Sequence, residues 1–129
     1  MATVETIMTS DLLRVGAGST LRDAAREMDA RRVGAALVFE GERLVGIFTE
    51  RDVMRAVARG DLDAGTVSDW MTHHPETIES SDTTGHAAAM MIHGGFRHLP
   101  VADGEKVVGI ISIRDLMRVV LDDEAPRGA

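Results

Sequence analysis

The chain has 129 residues, of which 44% are hydrophobic and 27% charged, and its formal net charge is -7. This length predicts one globular domain, and half of it would bury too little apolar surface to be comfortably stable alone. The acidic excess argues against nonspecific binding to nucleic acid or anionic lipid, and no apolar run approaches the roughly 20 residues of a membrane span. The start resembles no export signal and cysteine is absent. We therefore expect a cytoplasmic protein with no nucleic-acid or membrane partner.

The first predicted elements are a short lead-in helix at residues 3–8 and an extended segment at 12–15. A longer helix then begins at Ser19 or Thr20, because the next apolar residues recur at i, i+3, i+4 and i+7. Two apolar runs at 35–39 and 44–48 enclose a glycine-containing turn and predict a β-hairpin. A final helix follows and ends at Gly60.

The same pattern returns 63 residues later, without a gap from Val4/Val67 to Val57/Val120. The chain is therefore a tandem repeat, and its fold class is α+β, with the order strand, helix, strand, strand, helix in each copy. The predicted boundaries are residues 3–60 for the first copy, 61–65 for a linker, 66–123 for the second copy and 124–129 for a frayed tail. We expect the two copies to share one hydrophobic core.

The helix predicted at residues 84–92 is apolar on nearly all sides in the second copy. Ala87, Ala88 and Met91 repeat the stripe of the first copy, while Ala89, Met90 and Ile92 add further apolar surface. Such a helix needs cover on more than one side, so we expect it to lie between the copies or at a subunit contact. The sequence thus predicts a homodimer.

Each copy has a short motif at the start of its final helix: Thr49-x-x-Asp52 in the first and Ser112-x-x-Asp115 in the second. A hydroxyl and a carboxylate at this spacing form a capping box, which satisfies the free N–H groups of a helix N-terminus. The same groups could also bind a ligand, because a helix N-terminus attracts anions and the carboxylate accepts hydrogen bonds beside it. Both interpretations remain open from the residues alone.

Taken together, these motifs resemble a pair of cystathionine-β-synthase (CBS) domains, over essentially residues 3–123. The lead-ins Ile7-Met8-Thr9 and Trp70-Met71-Thr72, the strand at 96–101 and the Gly-x-x-[Thr/Ser]-x-x-Asp turns carry the resemblance. It implies two units of strand, helix, strand, strand and helix, each with a small mixed sheet, related by a pseudo-twofold axis. It also implies two clefts between them for adenosine compounds.

The resemblance further implies a role for individual residues. Asp52 and Asp115 would accept hydrogen bonds from the ribose hydroxyls, and the phosphate would lie near Thr49 with Arg51 and near Ser112 with Arg114. The adenine would lie near 13–15 and 34–36 in one copy, and near 77–78 and 98–100 in the other. The implied ligand-binding residues are Val15, Ala35, Thr49, Arg51, Asp52, Thr77, Ile78, Arg97, His98, Leu99, Pro100, Ser112, Ile113, Arg114 and Asp115. The first copy has Gly34 and Glu50 where the second has Arg97 and Ile113, which argues against a phosphate in the first cleft.

The function implied is a regulatory, energy-sensing module that binds AMP, ADP, ATP, NAD or S-adenosylmethionine and signals to a protein target. An adenine nucleotide would be its regulatory ligand, and no cofactor is required. The alternative is a ligand-free module for dimerisation or docking. Catalysis is not expected, because no nucleophile elbow, H-E-x-x-H motif or carboxylate pair occurs. His73, His74, His86 and His93 are interpreted as exposed polar residues rather than metal ligands.

Overall fold

The computed structural model describes residues 2–124 and, for the side chains, residues 2–121. Residues 125–129 of the predicted tail lie outside the described residues. The elements in chain order are α1 (Val4–Ile7), β1 (Arg14–Gly16), α2 (Leu21–Arg31), β2 (Ala35–Glu40), β3 (Arg43–Thr49), α3 (Glu50–Ala58), α4 (Val67–Trp70), β4 (Thr72–His73), α5 (Thr84–Gly94), β5 (His98–Asp103), β6 (Lys106–Ser112) and α6 (Ile113–Glu124).

The chain divides into two compact units. The central unit is Leu12–Pro75, and the terminal unit combines Met1–Asp11 with Glu76–Ala129. The lead-in helix α1 therefore belongs to the terminal unit, together with most of the second repeat, and α4 belongs to the central unit, together with most of the first. The compact units and the sequence repeats thus divide the chain differently.

In each unit, an equivalent backbone hydrogen bond joins the lead-in helix to the residues just before the longer helix. In the central unit, the N–H of Val67 donates to Ser19 O at 2.9 Å. In the terminal unit, the equivalent N–H of Val4 donates to Asp82 O at 2.8 Å. Both valines are fully buried. A lead-in residue therefore completes the packing of each unit beside the start of its longer helix.

The central unit contains a four-stranded mixed sheet with the order β1-β2-β3-β4. Strand β1 runs parallel to β2, while β3 is antiparallel to both β2 and β4. The predicted hairpin at 35–39 and 44–48 is confirmed. The helix packed on it begins at the N-cap Thr20, whose side chain accepts from Asp23 N. Every residue of β2 from Ala35 to Phe39 is buried.

The terminal unit has the hairpin β5-β6. Ile78 adds a parallel bridge to Val101, and Thr9 adds an antiparallel bridge to Ile110. The first strand predicted for the second copy is therefore present only as one bridge, at the same place in the order as β1. Pro100 accounts for one missing bridge: in the central unit the equivalent Leu37 donates its N–H to Leu13 O at 2.9 Å, and proline has no N–H to donate. On the other side of Ile78, the N–H of Ser80 donates to Asp103 Oδ1 at 2.9 Å instead of to the ladder.

The expected single core is also corrected, because the buried apolar residues form two clusters, one in each unit. The central cluster includes Phe48, Leu21 and Met71. The terminal cluster includes Leu99, Ile111 and Met91. Units of this size bury a modest fraction of their surface, so a lead-in side chain in each cluster, Val67 or Val4, contributes substantially.

Helix α5 leaves more apolar surface exposed to solvent than its composition predicts. Ala87 and Met91 are buried in the terminal cluster, and Ala88 and Met90 pack partly against it. Ile92 is 72% exposed. The apolar residues of this helix therefore extend around to solvent, since one unit covers only one side of it.

A glycine in β6 allows the lead-in residue Met8 to approach the strand. A Cβ at Gly109 would lie 2.6 Å from Met8 Sδ and 3.0 Å from the backbone oxygen of Thr9. We predict that Gly109→Ala lowers the free energy of unfolding by about 1 to 3 kcal/mol, as overpacking does. Adding Met8→Ala removes part of this clash, so the double variant should be less destabilised than the sum of the single variants.

Urea denaturation of the three variants measures this coupling. Gly85→Ala is the matched control, because a Cβ at this exposed helix position meets nothing closer than 4.0 Å and should stabilise by about 0.4 to 1 kcal/mol. Unchanged stability of Gly109→Ala would contradict the packing described here.

Candidate functional site

The candidate site of the terminal unit is built on the capping box of α6. Oδ2 of Asp115 accepts hydrogen bonds from the N–H of Ser112 at 2.8 Å and from its hydroxyl at 2.9 Å. Ser112 Oγ in turn accepts from the N–H of Asp115 at 3.2 Å. Within the described residues, no donor reaches Oδ1 of Asp115. One carboxylate oxygen thus fixes the helix start, and the other remains available to a ligand.

Three chain segments meet around this box. His98 and Ser112 are directly opposite in the β5-β6 ladder, and the N–H of Ile113 donates to Arg97 O at 2.9 Å. These contacts bring together four predicted site residues from two segments 15 positions apart. The third segment joins through Ile78, whose N–H donates to Pro100 O at 3.1 Å.

The burial of these residues limits which side chains can contact a ligand. Ile78, Leu99 and Pro100 are buried within the unit, so a ligand could reach only their backbone atoms. Arg97, Arg114 and Thr77 are exposed, while His98, Ser112, Ile113 and Asp115 are half-buried. The polar side chains therefore supply the accessible chemistry, and the apolar ones hold the strands.

The central unit repeats this arrangement. Oδ2 of Asp52 accepts from the N–H of Thr49 at 2.9 Å and from its hydroxyl at 3.2 Å. Ala35 lies opposite Thr49 in the β2-β3 ladder, and the N–H of Glu50 donates to Gly34 O at 3.0 Å. Val15 and Ala35 are buried, whereas Arg51 is exposed. The segments at 34–36 and 49–52 thus meet in the β2-β3 ladder, and the segment at 14–16 pairs with the other edge of β2.

Asp52 differs from its counterpart in its burial. It is 6% exposed, the one polar or charged residue in the buried set of the described chain. Burial raises the pKa of the Asp52 carboxyl above 3.8, and the N–H and hydroxyl of Thr49, followed by Arg55 and Arg51, oppose the rise. Arg55 Nη1 lies 3.9 Å from Asp52 Oδ1. Arg55 is not among the predicted site residues, although its i+3 spacing from Asp52 on a helix is a signal for such a pair.

The two sites differ in the balance of their charged side chains. In the terminal unit, the residues around the box provide the guanidinium groups of Arg97 and Arg114 and the carboxylate of Asp115. In the central unit, the corresponding segments provide the carboxylates of Glu50 and Asp52 and the guanidinium of Arg51, and Arg55 adds a second guanidinium beside Asp52. An anion is therefore favoured more at the terminal site than at the central one, where two carboxylates offset the arginines.

A third capping box lies outside both sites. In α4, Oδ2 of Asp69 accepts from the N–H of Thr66 at 2.9 Å and from its hydroxyl at 3.1 Å. This geometry matches that of the other two boxes within a few tenths of an ångström. A box is therefore not evidence of ligand binding by itself, and Asp69 provides an internal reference for the structural role.

Trp70 follows this third box and packs beneath two arginines. The guanidinium carbons of Arg55 and Arg59 each lie 5.7 Å from the centre of the Trp70 ring, and the indole N–H donates to Asp61 Oδ2 at 2.7 Å. These contacts make Trp70 a packing anchor of the central unit. Among the side chains that the structure describes, those of residues 2–121, no group of three or more histidine and acidic residues is placed to hold a metal ion.

Comparison with known proteins agrees with this geometry. The CBS-domain profile matches residues 4–59 and again residues 67–122. The chain belongs to the CBS-domain family. An uncharacterized 17.7 kDa protein of Acidianus ambivalens is 38% identical over 125 residues, which are 95% of this chain and 76% of that protein. The Arabidopsis thaliana CBS domain-containing proteins that match are much longer, and this chain spans about a fifth of their length.

Solved structures of tandem CBS pairs share the whole fold. A putative signal-transduction protein with CBS domains from Burkholderia ambifaria is 33% identical in sequence and has a TM-score of 0.91. The match covers 99% of this chain and 100% of the Burkholderia chain. A CBS domain protein from Pyrobaculum aerophilum, complexed with AMP, has 30% identity and a TM-score of 0.85, with 95% and 97% coverage. The α+β tandem CBS-pair prediction is therefore confirmed. No helix within residues 2–124 is long and apolar enough to cross a membrane.

The raised pKa of Asp52 predicts a pH effect on stability. A carboxyl whose pKa is higher in the folded state than in the unfolded chain disfavours folding once it ionises. The stability of the wild type relative to Asp52→Asn should therefore fall as pH rises from 3.8 through the folded-state pKa. Chemical denaturation of both proteins between about pH 4 and pH 7 tests this sign. If the free energy of unfolding of the wild type, relative to that of Asp52→Asn, stays constant or rises with pH, burial is not what raises the pKa of Asp52.

Proposed function

We propose that this CBS pair is a regulatory module that binds an adenosine phosphate at the Ser112–Asp115 site of its terminal unit. The observation that supports this most is that, among the described side chains, no donor reaches Oδ1 of Asp115, while Arg97 and Arg114 of the same site segments are exposed. A carboxylate oxygen with no donor suits a ribose hydroxyl, and guanidinium groups suit a phosphate. The AMP complex of the Pyrobaculum relative, 30% identical, supports the same ligand class.

Each terminal-site residue has a proposed role. Asp115 would accept from ribose hydroxyls through Oδ1 while Oδ2 keeps the helix cap. Arg97 and Arg114 would pair with phosphate oxygens, and the hydroxyl of Ser112 and the imidazole of His98 lie close enough together to contact the same group. AMP, ADP and ATP share these features, so the proposal covers adenosine phosphates as a class.

Regulation rather than catalysis is the proposed role. CBS pairs are generally regulatory, and the AMP-complexed relatives illustrate ligand binding. We propose that ligand binding is signalled to a protein target, because the site itself offers no activated nucleophile or acid-base pair. The chemistry available to Asp115, Arg97 and Arg114 is recognition of a diol and an anion.

A docking or dimerisation module is the second candidate, and exposed apolar side chains favour it. Met54 and Val57 of α3 are 63% and 55% exposed, and their repeat equivalents Met117 and Val120 of α6 are 57% and 55% exposed. Retention of exposed methionine and valine in both repeats supports the proposal that the chain forms a homodimer, which the molar mass from light scattering would report. This role is compatible with ligand binding.

Asp115→Ala separates ligand binding from capping. Loss of the cap should lower the free energy of unfolding by about 0.5 to 2 kcal/mol. Loss of the ribose acceptor should also reduce AMP affinity at least roughly tenfold, because a hydrogen bond to a charged group contributes about 1.5 to 3 kcal/mol. Calorimetry with AMP and chemical denaturation measure the two effects on the same samples.

Asp69→Ala is the matched control, since it removes a box of the same geometry outside the proposed site. It should lower stability by a similar amount and leave AMP affinity unchanged. Equal AMP affinity of wild type and Asp115→Ala, or no binding by the wild type, would leave the docking module as the account of this chain.

A further inference from the structure

The central unit places a carboxylate where the terminal unit has none. Glu50 is the first residue of α3, and its side chain lies over Gly34. The Cδ and Oε1 atoms of Glu50 are 3.3 Å, and Oε2 is 3.4 Å, from the position that a Cβ on Gly34 would occupy. The absence of a side chain at Gly34 thus leaves room for this carboxylate beside Thr49 and Ala35.

The equivalent positions of the terminal unit carry different chemistry. Gly34 corresponds to Arg97, and Glu50 corresponds to Ile113. In both units the backbone at this point is the same, because the first helical N–H donates to the carbonyl before the strand: Glu50 to Gly34 at 3.0 Å and Ile113 to Arg97 at 2.9 Å. Only the side chains differ, so on the same scaffold the central unit has one carboxylate more, Glu50, and one guanidinium fewer, that of Arg97.

The position of Glu50 also changes the electrostatics of the helix start. The N-terminus of a helix has a partial positive charge that attracts an anion. In α3 the first-turn carboxylates of Glu50 and Asp52 already lie in this field. A phosphate would meet these two carboxylates at close range, with the guanidinium groups of Arg51 and Arg55 only offsetting them, whereas a neutral or cationic group would not be repelled by the carboxylates.

We infer that the central unit takes an adenosine ligand whose 5′ substituent is neutral or cationic, and that Glu50 is the residue that excludes a 5′-phosphate. This inference rests on the proposed function, because it assumes that Asp52 holds a ribose as Asp115 does. It assigns the two units different ligand classes: a nucleoside without phosphate in the central unit and an adenosine phosphate in the terminal unit. The purely structural role of Glu50 would be to stabilise the helix start.

Three probes that differ only at the 5′ position test the inference: adenosine, 5′-amino-5′-deoxyadenosine and AMP. At neutral pH these carry a hydroxyl, an ammonium and a phosphate. Titration of the wild-type chain followed by backbone-amide NMR reports each unit separately, through Ala35 and Thr49 in the central unit and His98 and Ser112 in the terminal unit. No destabilising substitution is needed to resolve the two sites.

The central amides should respond to the amino compound at concentrations at least roughly tenfold lower than to AMP, with adenosine between them. The terminal amides should show the reverse order. A central site that prefers AMP, or that binds none of the three probes, would overturn the inference.

Glu50→Gln then tests the assigned residue, because it removes the charge and keeps the shape. At the central amides, AMP affinity should rise about tenfold, the affinity for the amino compound should fall about tenfold, and adenosine should change little. Glu42→Gln is the matched control: Glu42 is exposed in the β2-β3 turn, at the far end of the hairpin from Thr49. Glu42→Gln should leave the order of the three affinities at the central amides unchanged. The same change of affinities in both variants would overturn the role of Glu50.

Failure of this inference differs from failure of the proposed function. If the terminal amides respond to AMP while the central preference is absent, the phosphate site stands and the Glu50 inference is wrong. If neither set of amides responds to any probe, both proposals fail together. Ile113→Glu gives an independent check, since a carboxylate introduced there should weaken AMP binding at the terminal amides about tenfold.

Discussion

The rest of each unit depends on one interaction, the hydrogen bond from an N-cap N–H to a carboxylate three residues later. In the terminal unit Ser112 donates to Asp115, and in the central unit Thr49 donates to Asp52, at 2.8 and 2.9 Å. The bond fixes the turn from a buried strand to a helix. Because one carboxylate oxygen makes this bond, the other is held in a defined direction next to the preceding strand. The structural role and the proposed recognition role therefore use different atoms of the same side chain.

Local patterns in the sequence predicted most of the elements. Periodicity predicted the helix after Thr20 and the hairpin at 35–48, and the repeat transferred both to the second copy. What failed depends on individual atoms or distant contacts. Pro100 lacks the N–H that extends the parallel ladder in the central unit, and this consequence was readable from the sequence. The separate cores were not, because Val4 packs beside a helix that starts 80 residues later.

For the candidate sites, the sequence identified the segments involved but not the burial of their side chains. The segments at 49–52 and 112–115 were identified by their spacing, and the structure brings them beside Ala35 and His98. Burial could not be predicted, because Thr49-x-x-Asp52 and Thr66-x-x-Asp69 look alike as motifs, yet Asp52 is buried and Asp69 is exposed. That difference comes from the packing around α3. It is also the cause of the raised pKa of the Asp52 carboxyl.

The central claim is that the terminal site recognises an adenosine phosphate through Asp115 and its neighbouring arginines. Mass spectrometry of small molecules released from the purified chain tests it most directly, because no ligand is assumed in advance. Wild type and Asp69→Ala should release an adenosine phosphate in comparable amounts, and Asp115→Ala should release much less. Release of no adenosine compound from the wild type, together with no response of its His98 and Ser112 amides to added AMP, would contradict the claim.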